Sequence, residues 1–294
     1  MIDKASSVAS VRFDEPLAAH TSWRVGGAAD VFFTPRTVAS VTEFLAHRVD
    51  GPLFWLGLGS NVLVRDGGVR GTVIATAGGL LGLAVAGDDI YAEAGVPLAK
   101  VARFAVDRGY QGLEFFAGIP GTVGGALAMN AGASGSETWN FVTSVETIDR
   151  AGVVRVRTPR DFTIRYRHVE GPFEEWFLAA RFHLQQGDPA FGRQRIKEYL
   201  AIRNKTQPMQ TANAGSVFRN PPGDFAARLI EHAGLKGVCE GGARVSARHA
   251  NFIINEGHAK ACDIERLIAR IQARVQECAG IVLEPEVRIV GDPL

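Results

Sequence analysis

From about residue 20 to residue 187 short apolar runs alternate with glycine-bearing turns, and the runs have the length of strands. Strands are predicted at Leu53–Leu58, Asn61–Val64, Thr72–Thr76, Asp89–Ala94, Val145–Asp149 and Trp176–Leu184. Two helical patterns interrupt them. Thr37 is placed to cap one that carries Val38, Val41 and Leu45 on a single face. Pro97 opens another with Leu98, Val101, Ala102 and Ala105, stopped by Gly109. Strands outnumber helices and do not alternate strictly with them, so the pattern predicts α+β and not a doubly wound sheet.

After Gly187 the texture changes. A basic helix is predicted from about Pro189 to Lys205, followed by a loop from Thr206 to Gly215. Asp224 then stands where it would cap a helix with Phe225, Leu229 and Ile230 inward, closed by Gly234. The clearest helix is the last. Ile264, Leu267, Ile268, Ile271 and Val275 repeat at helical spacing, with Asp263 before them and Gly280 after. A final strand is expected over Ile281–Val290. The change of pattern puts a domain boundary near residue 187. The first domain, 1–187, divides again into about 1–76 and 77–187, and a smaller second domain covers 188–294.

Composition narrows the function classes. Apolar residues are 46% and charged residues 21% of 294, which is the make-up of a folded globular chain. Lys plus Arg number 32 against 31 for Asp plus Glu, a net charge of +1, without the basic excess of a nucleic-acid or membrane-surface binder. The start, Met1-Ile2-Asp3-Lys4, shows no leader pattern. The uncharged stretch Phe115–Ser136 holds six glycines and Pro120, so no membrane insertion is expected from it. The three cysteines (Cys239, Cys262, Cys278) lack C-x-x-C spacing and the seven histidines are scattered, so neither a disulfide framework nor a metal site is expected. These features fit a reduced, cytoplasmic protein.

Glycine is the outlier, 34 of 294 residues against a norm of roughly 7%. Two segments concentrate it. One is Gly57-Leu58-Gly59-Ser60-Asn61-Val62, a turn between two apolar strands. The other runs from Gly118-Ile119-Pro120-Gly121-Thr122-Val123-Gly124-Gly125 on to Ala133. Glycines let successive backbone N–H groups face one point, and such a nest suits a diphosphate. No lysine follows the glycines as in a P-loop, and neither segment is a G-x-G-x-x-G that opens a crossover helix. A single such turn is most simply a tight turn. Two in one domain favour a nucleotide cofactor. Thr21-Ser22-Trp23-Arg24-Val25-Gly26-Gly27 adds a weaker signal.

In the second half, Gly215-Ser216-Val217-Phe218-Arg219-Asn220-Pro221 sets a serine in a polar loop. It is not a G-x-S-x-G elbow, so hydrolase chemistry has no support there. Leu283-Glu284-Pro285-Glu286-Val287-Arg288-Ile289 alternates, with Glu284, Glu286 and Arg288 on one face. Tyr166-Arg167 lies in the arginine-rich segment Arg165–His168. Taken alone, each is also what a turn serine or a solvated strand would look like. From Arg193 to Lys205 five basic residues face one acid, Glu198, which suggests a local attraction for an anion, although a solvated helix face accounts for most of them. Lys205, at the exit into the loop that leads to Ser216, stands out.

In this order the segments resemble the UDP-N-acetylenolpyruvoylglucosamine reductase family, FAD enzymes of peptidoglycan precursor synthesis. The resemblance spans about Thr21 to Val290. It rests on the glycine segments, Tyr166-Arg167, Gly215–Pro221, the asparagine-centred strand Asn251-Phe252-Ile253-Ile254-Asn255, and Pro285-Glu286-Val287-Arg288. Two positions depart from the family pattern: His20 replaces an asparagine, which weakens one contact, and Val169 replaces a serine that could orient the arginine. Arg167 and Ser216 stand only 49 positions apart, which leaves no room for the extra tyrosine segment of one subgroup. The resemblance therefore implies the compact subgroup, with a two-part FAD-binding domain and a C-terminal substrate domain whose last strand returns to the active site.

The resemblance further implies a ping-pong reduction in which NADPH reduces FAD and leaves, after which the enolpyruvyl ether of UDP-N-acetylglucosamine enters. Arg167 would hold the carboxylate as charge develops there, with Glu286 as a partly protonated donor, which needs a raised pKa. Ser216 would deliver a proton as general acid. Lys205 and Asn220 would meet the substrate diphosphate. Gly57, Gly59, Ser60, Asn61, Val62, Gly118, Ile119, Pro120, Gly121, Thr122, Gly124 and Gly125 would hold the flavin. The product, UDP-N-acetylmuramate, would place the enzyme in cell-wall biogenesis, and so in cell shape and division, with no obligate protein partner. Two alternatives stay open on the residues alone: a flavin oxidase of the same FAD-binding fold, and a nucleotide-binding module without catalysis.

Overall fold

The structure is a computed structural model that describes residues 9–47 and 51–294; the Met1–Lys4 start lies outside the described residues. The chain forms two compact units. Of the described residues, the first comprises 9–13, 31–47, 51–58 and 71–201, and the second Asp14–Asp30, Gly59–Arg70 and Ile202–Leu294.

The first unit is built on an antiparallel five-stranded sheet. Its order is Val154–Arg157, Val142–Asp149, Glu175–His183, Asp89–Glu93, Leu83–Ala86. Register is set by pairs such as Val145↔Ala180 and Ala180↔Ala92, all three buried, which puts the apolar member of each alternation on one face. Leu53–Leu56 pairs in parallel with Val69–Ala75, Leu53 facing Thr72. Helix α1 (Val38–Ala46) starts at Thr37, whose hydroxyl accepts the Ser40 N–H, and it buries Val41 and Leu45. Helix α2 (Leu98–Asp107) opens behind Pro97 and buries Leu98, Val101, Ala102 and Ala105 in one core with Ile90, Ala92 and Phe182. Gly109, at φ +78°, ends it. Helix α3 (Val123–Met129) carries Gly124 and Gly125 of the second glycine segment, and helix α4 (Pro189–Thr206), the predicted basic helix, belongs to this unit through Ala201. The antiparallel sheet is the α+β outcome the strand pattern anticipates.

The second unit packs helix α5 (Ala226–His232) and helix α6 (Ala261–Ala279) with a small antiparallel sheet, Cys239–Glu240, Ala243–Val245 and Ile253–Asn255. In a folded protein most of the stability of a helix such as this 19-residue one comes from packing its apolar face. The stripe Ile264, Leu267, Ile268, Ile271 and Val275 is fully buried in the core, and each such side chain contributes about 1.5–3 kcal/mol. Packing therefore decides the helix. Gly280, at φ +69°, closes it, whereas Asp263 sits inside its first turn, not before it.

Three expectations are corrected here. Phe225 is 66% exposed and does not face inward. The start of α5 is capped from six residues upstream, where Asn220 Oδ1 accepts the Ala226 N–H, while Asp224 pairs with Arg228. The expected Ile281–Val290 strand is formed only over Arg288–Val290, which pairs in parallel with Val62–Val64. Pro285 makes a separate bridge to Phe218.

Candidate active site

The first glycine turn is locked to the Thr21–Gly27 segment within the second unit. Gly59 has φ +68°, a left-handed conformation that glycine adopts without penalty. Its carbonyl accepts both the N–H and the hydroxyl of Ser22, at 3.0 and 3.3 Å. A Cβ added there would lie 2.1 Å from the His20 carbonyl oxygen, so no other residue fits. The His20 ring itself is tied to Glu15 at 2.7 Å. Asn61 reaches the opposite way: its Nδ2 donates to the Glu286 carbonyl at 3.1 Å, and its own carbonyl accepts from Arg288 N–H at 3.0 Å.

The second glycine segment lies in the first unit and runs from Gly118, the last residue of the 3-10 turn Glu114–Gly118, into helix α3. Some of its amides hold the fold and cannot also face a ligand. Ile119, Val123 and Gly124 donate to the carbonyls of Phe116, Val96 and Ala94 at 3.1, 3.0 and 2.9 Å. Thr122 is different. Its residue is 2% exposed, and its Oγ1 has no hydrogen-bond partner among the described residues. A buried hydroxyl left unpaired costs about 1–3 kcal/mol. A Cβ at Gly57 would stand 2.6 Å from that oxygen, and one at Gly125 3.7 Å, while a Cβ at Gly118 would meet nothing within 4 Å. The missing side chain at Gly57 leaves room for this hydroxyl itself, an unsatisfied polar atom of the kind a polar cofactor would pair with.

Arg167 occupies the tip of a hairpin. Thr163–Arg165 pairs with His168–Glu170, and Tyr166-Arg167 forms the turn between them. At φ +52° Arg167 adopts a left-handed conformation that costs a non-glycine residue about 1–2 kcal/mol. The turn sends its guanidinium inward, with 15% of the side chain exposed. There it donates to the carbonyls of Asn130 and Gly132 at 3.2 and 2.7 Å and meets the Glu137 carboxylate at 3.5 Å. A surface strand would leave such an arginine in solvent. Val169 pairs with Ile164 and packs against the apolar core.

Ser216 and Glu286 lie on adjoining extended segments of the second unit. Glu286 N–H donates to the Val217 carbonyl at 2.7 Å, and Arg219 N–H to the Glu284 carbonyl at 2.9 Å. Val217, Phe218, Leu283 and Val287 are buried, whereas Ser216 and Glu286 are half-buried. Gly215 turns the chain at φ +73° just before the serine. Lys205 is exposed in the last turn of α4. That end is held by Arg248, which donates to the carbonyls of Asn204 and Gln207 at 3.2 Å each. Burial holds the neighbouring Arg203 guanidinium below its ordinary pKa. Asn220 spends its Oδ1 on the start of α5, which leaves its NH2 as the donor available to an anion. No hydrogen bond joins Lys205 to Ser216, Asn220 or Glu286 among the described residues.

Elsewhere in the second unit a shallow cleft of about 400 Å³ lies between Arg24, Gln210, Thr211, Asn255 and Glu256. Arg24 and Asn255 belong to segments quoted from the sequence, but none of the residues expected to act in catalysis or to hold cofactor or substrate lines it. Those the sequence missed are Arg248, in a basic run without pattern, and the cap function of Asn220. Arg248 acts on main-chain groups more than forty positions away, and Asn220 caps from six residues upstream, outside the usual cap position, so no local signal marks them.

Comparison with known proteins places these features. Residues 29–157 match the family model of a FAD binding domain. Residues 207–290 match that of the UDP-N-acetylenolpyruvoylglucosamine reductase C-terminal domain. The chain is similar to the UDP-N-acetylenolpyruvoylglucosamine reductase of Methylococcus capsulatus, 58% identical over 280 residues, 95% of this chain and 92% of that one. For the same enzyme of Alkalilimnicola ehrlichii the identity is 56% over 283 residues, covering 96% and 95%. Among solved structures, the reductase of Thermus caldophilus superimposes with a TM-score of 0.81 at 32% identity, covering 97% of this chain and 99% of that one. The α+β build with a FAD-binding domain is that of a flavin-dependent oxidoreductase. Within that class, the chain belongs to the UDP-N-acetylenolpyruvoylglucosamine reductase family.

Proposed function

We propose that the protein reduces the enolpyruvyl ether of UDP-N-acetylglucosamine to UDP-N-acetylmuramate at the expense of NADPH, as a cytoplasmic step in peptidoglycan precursor synthesis. The single observation that supports this most is the junction of Ser216 and Glu286 within a chain more than half identical to named reductases. FAD, when bound, carries two electrons from NADPH as a hydride to the terminal vinyl carbon. Gly57, Gly59–Val62, Gly118, Pro120, Gly121 and Gly125 are assigned to hold it, with the Thr122 hydroxyl as a polar contact and the amides of Ile119 and Gly124 kept for the fold.

The remaining work falls to this chain's own side chains. Hydride addition to the vinyl terminus pushes negative charge onto the carboxylate. A guanidinium already fixed by two carbonyls needs no reorganisation to meet that charge, and Arg167 is assigned this role. Glu286 is assigned as a donor to the same oxygens. Ser216 then gives a proton to the carbon that bears the ether oxygen, which completes the addition of one hydride and one proton across the double bond. A hydroxyl is a weak acid, so it serves only a strongly basic intermediate. Lys205 and the NH2 of Asn220 are assigned to the diphosphate.

The test is turnover of the purified FAD-loaded protein. NADPH oxidation should depend on the UDP-sugar enolpyruvyl ether, and the product should gain two hydrogens. NADPH oxidation indifferent to that ether, or oxygen uptake driven by a sugar, would favour the oxidase instead.

A further inference from the structure

We propose that Asn251 is a positioning residue for Ser216, a proposal that rests on the assignment of Ser216 as proton donor. Asn251 is 3% exposed and lies outside every assigned contact with cofactor or substrate. Its side-chain amide grips one residue of the serine loop at two points. Oδ1 accepts the Phe218 N–H at 2.9 Å, and Nδ2 donates to the Phe218 carbonyl at 2.8 Å. Its main-chain carbonyl accepts the Val217 N–H at 2.9 Å. Since Glu286 N–H holds the Val217 carbonyl from the other side, both polar groups of the residue after Ser216 are fixed.

Asn251 is itself held firmly. Ser246 Oγ accepts the N–H groups of Arg248 and His249 at 3.1 and 3.2 Å, and Ser246 N–H donates to the Phe252 carbonyl at 2.8 Å. This closed turn delivers Asn251 at the start of the paired strand Ile253–Asn255. Only a planar group with one acceptor and one donor satisfies both polar atoms of Phe218. Aspartate brings two acceptors, and leucine neither. A side chain here does what a neighbouring strand does elsewhere, so Phe218 is pinned while Ser216 stays outside any ladder. What a weakly acidic hydroxyl contributes depends on its placement, and a shift of about 1 Å costs on the order of 100-fold.

The experiment uses the full FAD-loaded protein and follows its two half-reactions separately. In Asn251→Asp, reduction of the flavin by NADPH should proceed at the wild-type rate. Reoxidation by the UDP-sugar enolpyruvyl ether should slow by roughly 10- to 100-fold, with KM for that substrate changed by less than about threefold. Exchange of the Phe218 amide hydrogen should accelerate, and Asn251→Gln should recover part of the rate. In a Ser216→Ala background, adding Asn251→Asp should cost nothing more, because the residue acts only through that serine. An equal further loss in the double variant, or unchanged reoxidation in Asn251→Asp alone, overturns the proposal. If Ser216→Ala itself leaves reoxidation at the wild-type rate, the assignment of the serine falls, and the positioning role with it. Should Asn251→Ala not fold, the Asp and Gln variants carry the test.

Discussion

The main-chain N–H of Glu286 donates to the carbonyl of Val217 at 2.7 Å, so the glutamate and the residue that follows Ser216 are set against each other by backbone and not by mobile side chains. Main-chain pairing survives side-chain substitution, which makes the roles of Ser216 and Glu286 separable by mutation. Removing the Ser216 hydroxyl should leave the loop in place. In Ser216→Ala we therefore predict retained FAD and normal reduction by NADPH. The second half-reaction should be slower by about 10²–10⁴-fold, the usual contribution of a general acid. Rapid-mixing absorbance measurements of the two half-reactions check this, and a wild-type rate in the second removes Ser216 from the chemistry.

Arg167→Lys should lower kcat/KM for the UDP-sugar substrate by about 10²–10³-fold, the scale of losing one fixed donor to developing charge. A lysine offers a point charge and cannot span both the Asn130 and Gly132 carbonyls that fix the guanidinium. Steady-state kinetics are sufficient. Unaltered rates would show that the arginine serves the hairpin alone.

Thr122→Val separates a cofactor contact from a structural one by the sign of its effects. The hydroxyl is buried without a partner among the described residues, so a methyl group in its place should leave the apoprotein as stable as before, or raise its stability by about 1 kcal/mol. FAD affinity should fall by roughly 5- to 30-fold if the hydroxyl meets the cofactor, the loss of one hydrogen bond of about 1–2 kcal/mol. Thermal melts of the apoprotein and a FAD titration decide it. A less stable apoprotein with unchanged FAD affinity would contradict the assignment.

His249 gives the second unit a pH dependence of stability. Burial of its ring, together with the Lys236 ammonium, holds its pKa below the ordinary histidine value, against an opposing pull from Glu231. Its Nδ1 has no hydrogen-bond partner among the described residues. The unfolded chain binds the proton more readily than the folded one. Stability is therefore full above about pH 6.5 and falls as the pH drops from there toward the lower folded value. Melting temperatures between pH 7.5 and 5 should show this decline in the wild type and a weaker one in His249→Gln. Parallel curves for the two would exclude the histidine.

Much of this was legible in the residues, and what was not has identifiable reasons. The α6 stripe and the Thr37 and Pro97 helix starts follow from rules that act within a few positions, and the structure has them. The three inner strands of the five-stranded sheet likewise follow the apolar runs, whereas its edge strands Leu83–Ala86 and Val154–Arg157 are not anticipated by them. Interactions that join distant positions leave no such trace. Trp23 is fully buried in the core of the second unit, its indole N–H bonded to the Ile253 carbonyl 230 positions away, and Asn255 returns a bond to the Trp23 carbonyl. Asp224 had the spacing of a cap, but Asn220 reached the free N–H instead, and Phe225 was left in solvent. Arg167 shows the same limit. Its neighbours read as a strand, yet a two-residue turn points its side chain at carbonyls more than thirty positions earlier.

The central claim is that this chain holds a flavin that NADPH reduces and the UDP-sugar enolpyruvyl ether reoxidises. The most direct measurement is the visible absorption of the purified FAD-loaded protein under anaerobic conditions, first with NADPH and then with that ether. The account predicts a yellow protein that bleaches on the first addition and regains its colour, with one UDP-N-acetylmuramate formed per flavin, on the second. A protein that takes up no flavin, or one that stays bleached when the ether is added, would contradict it.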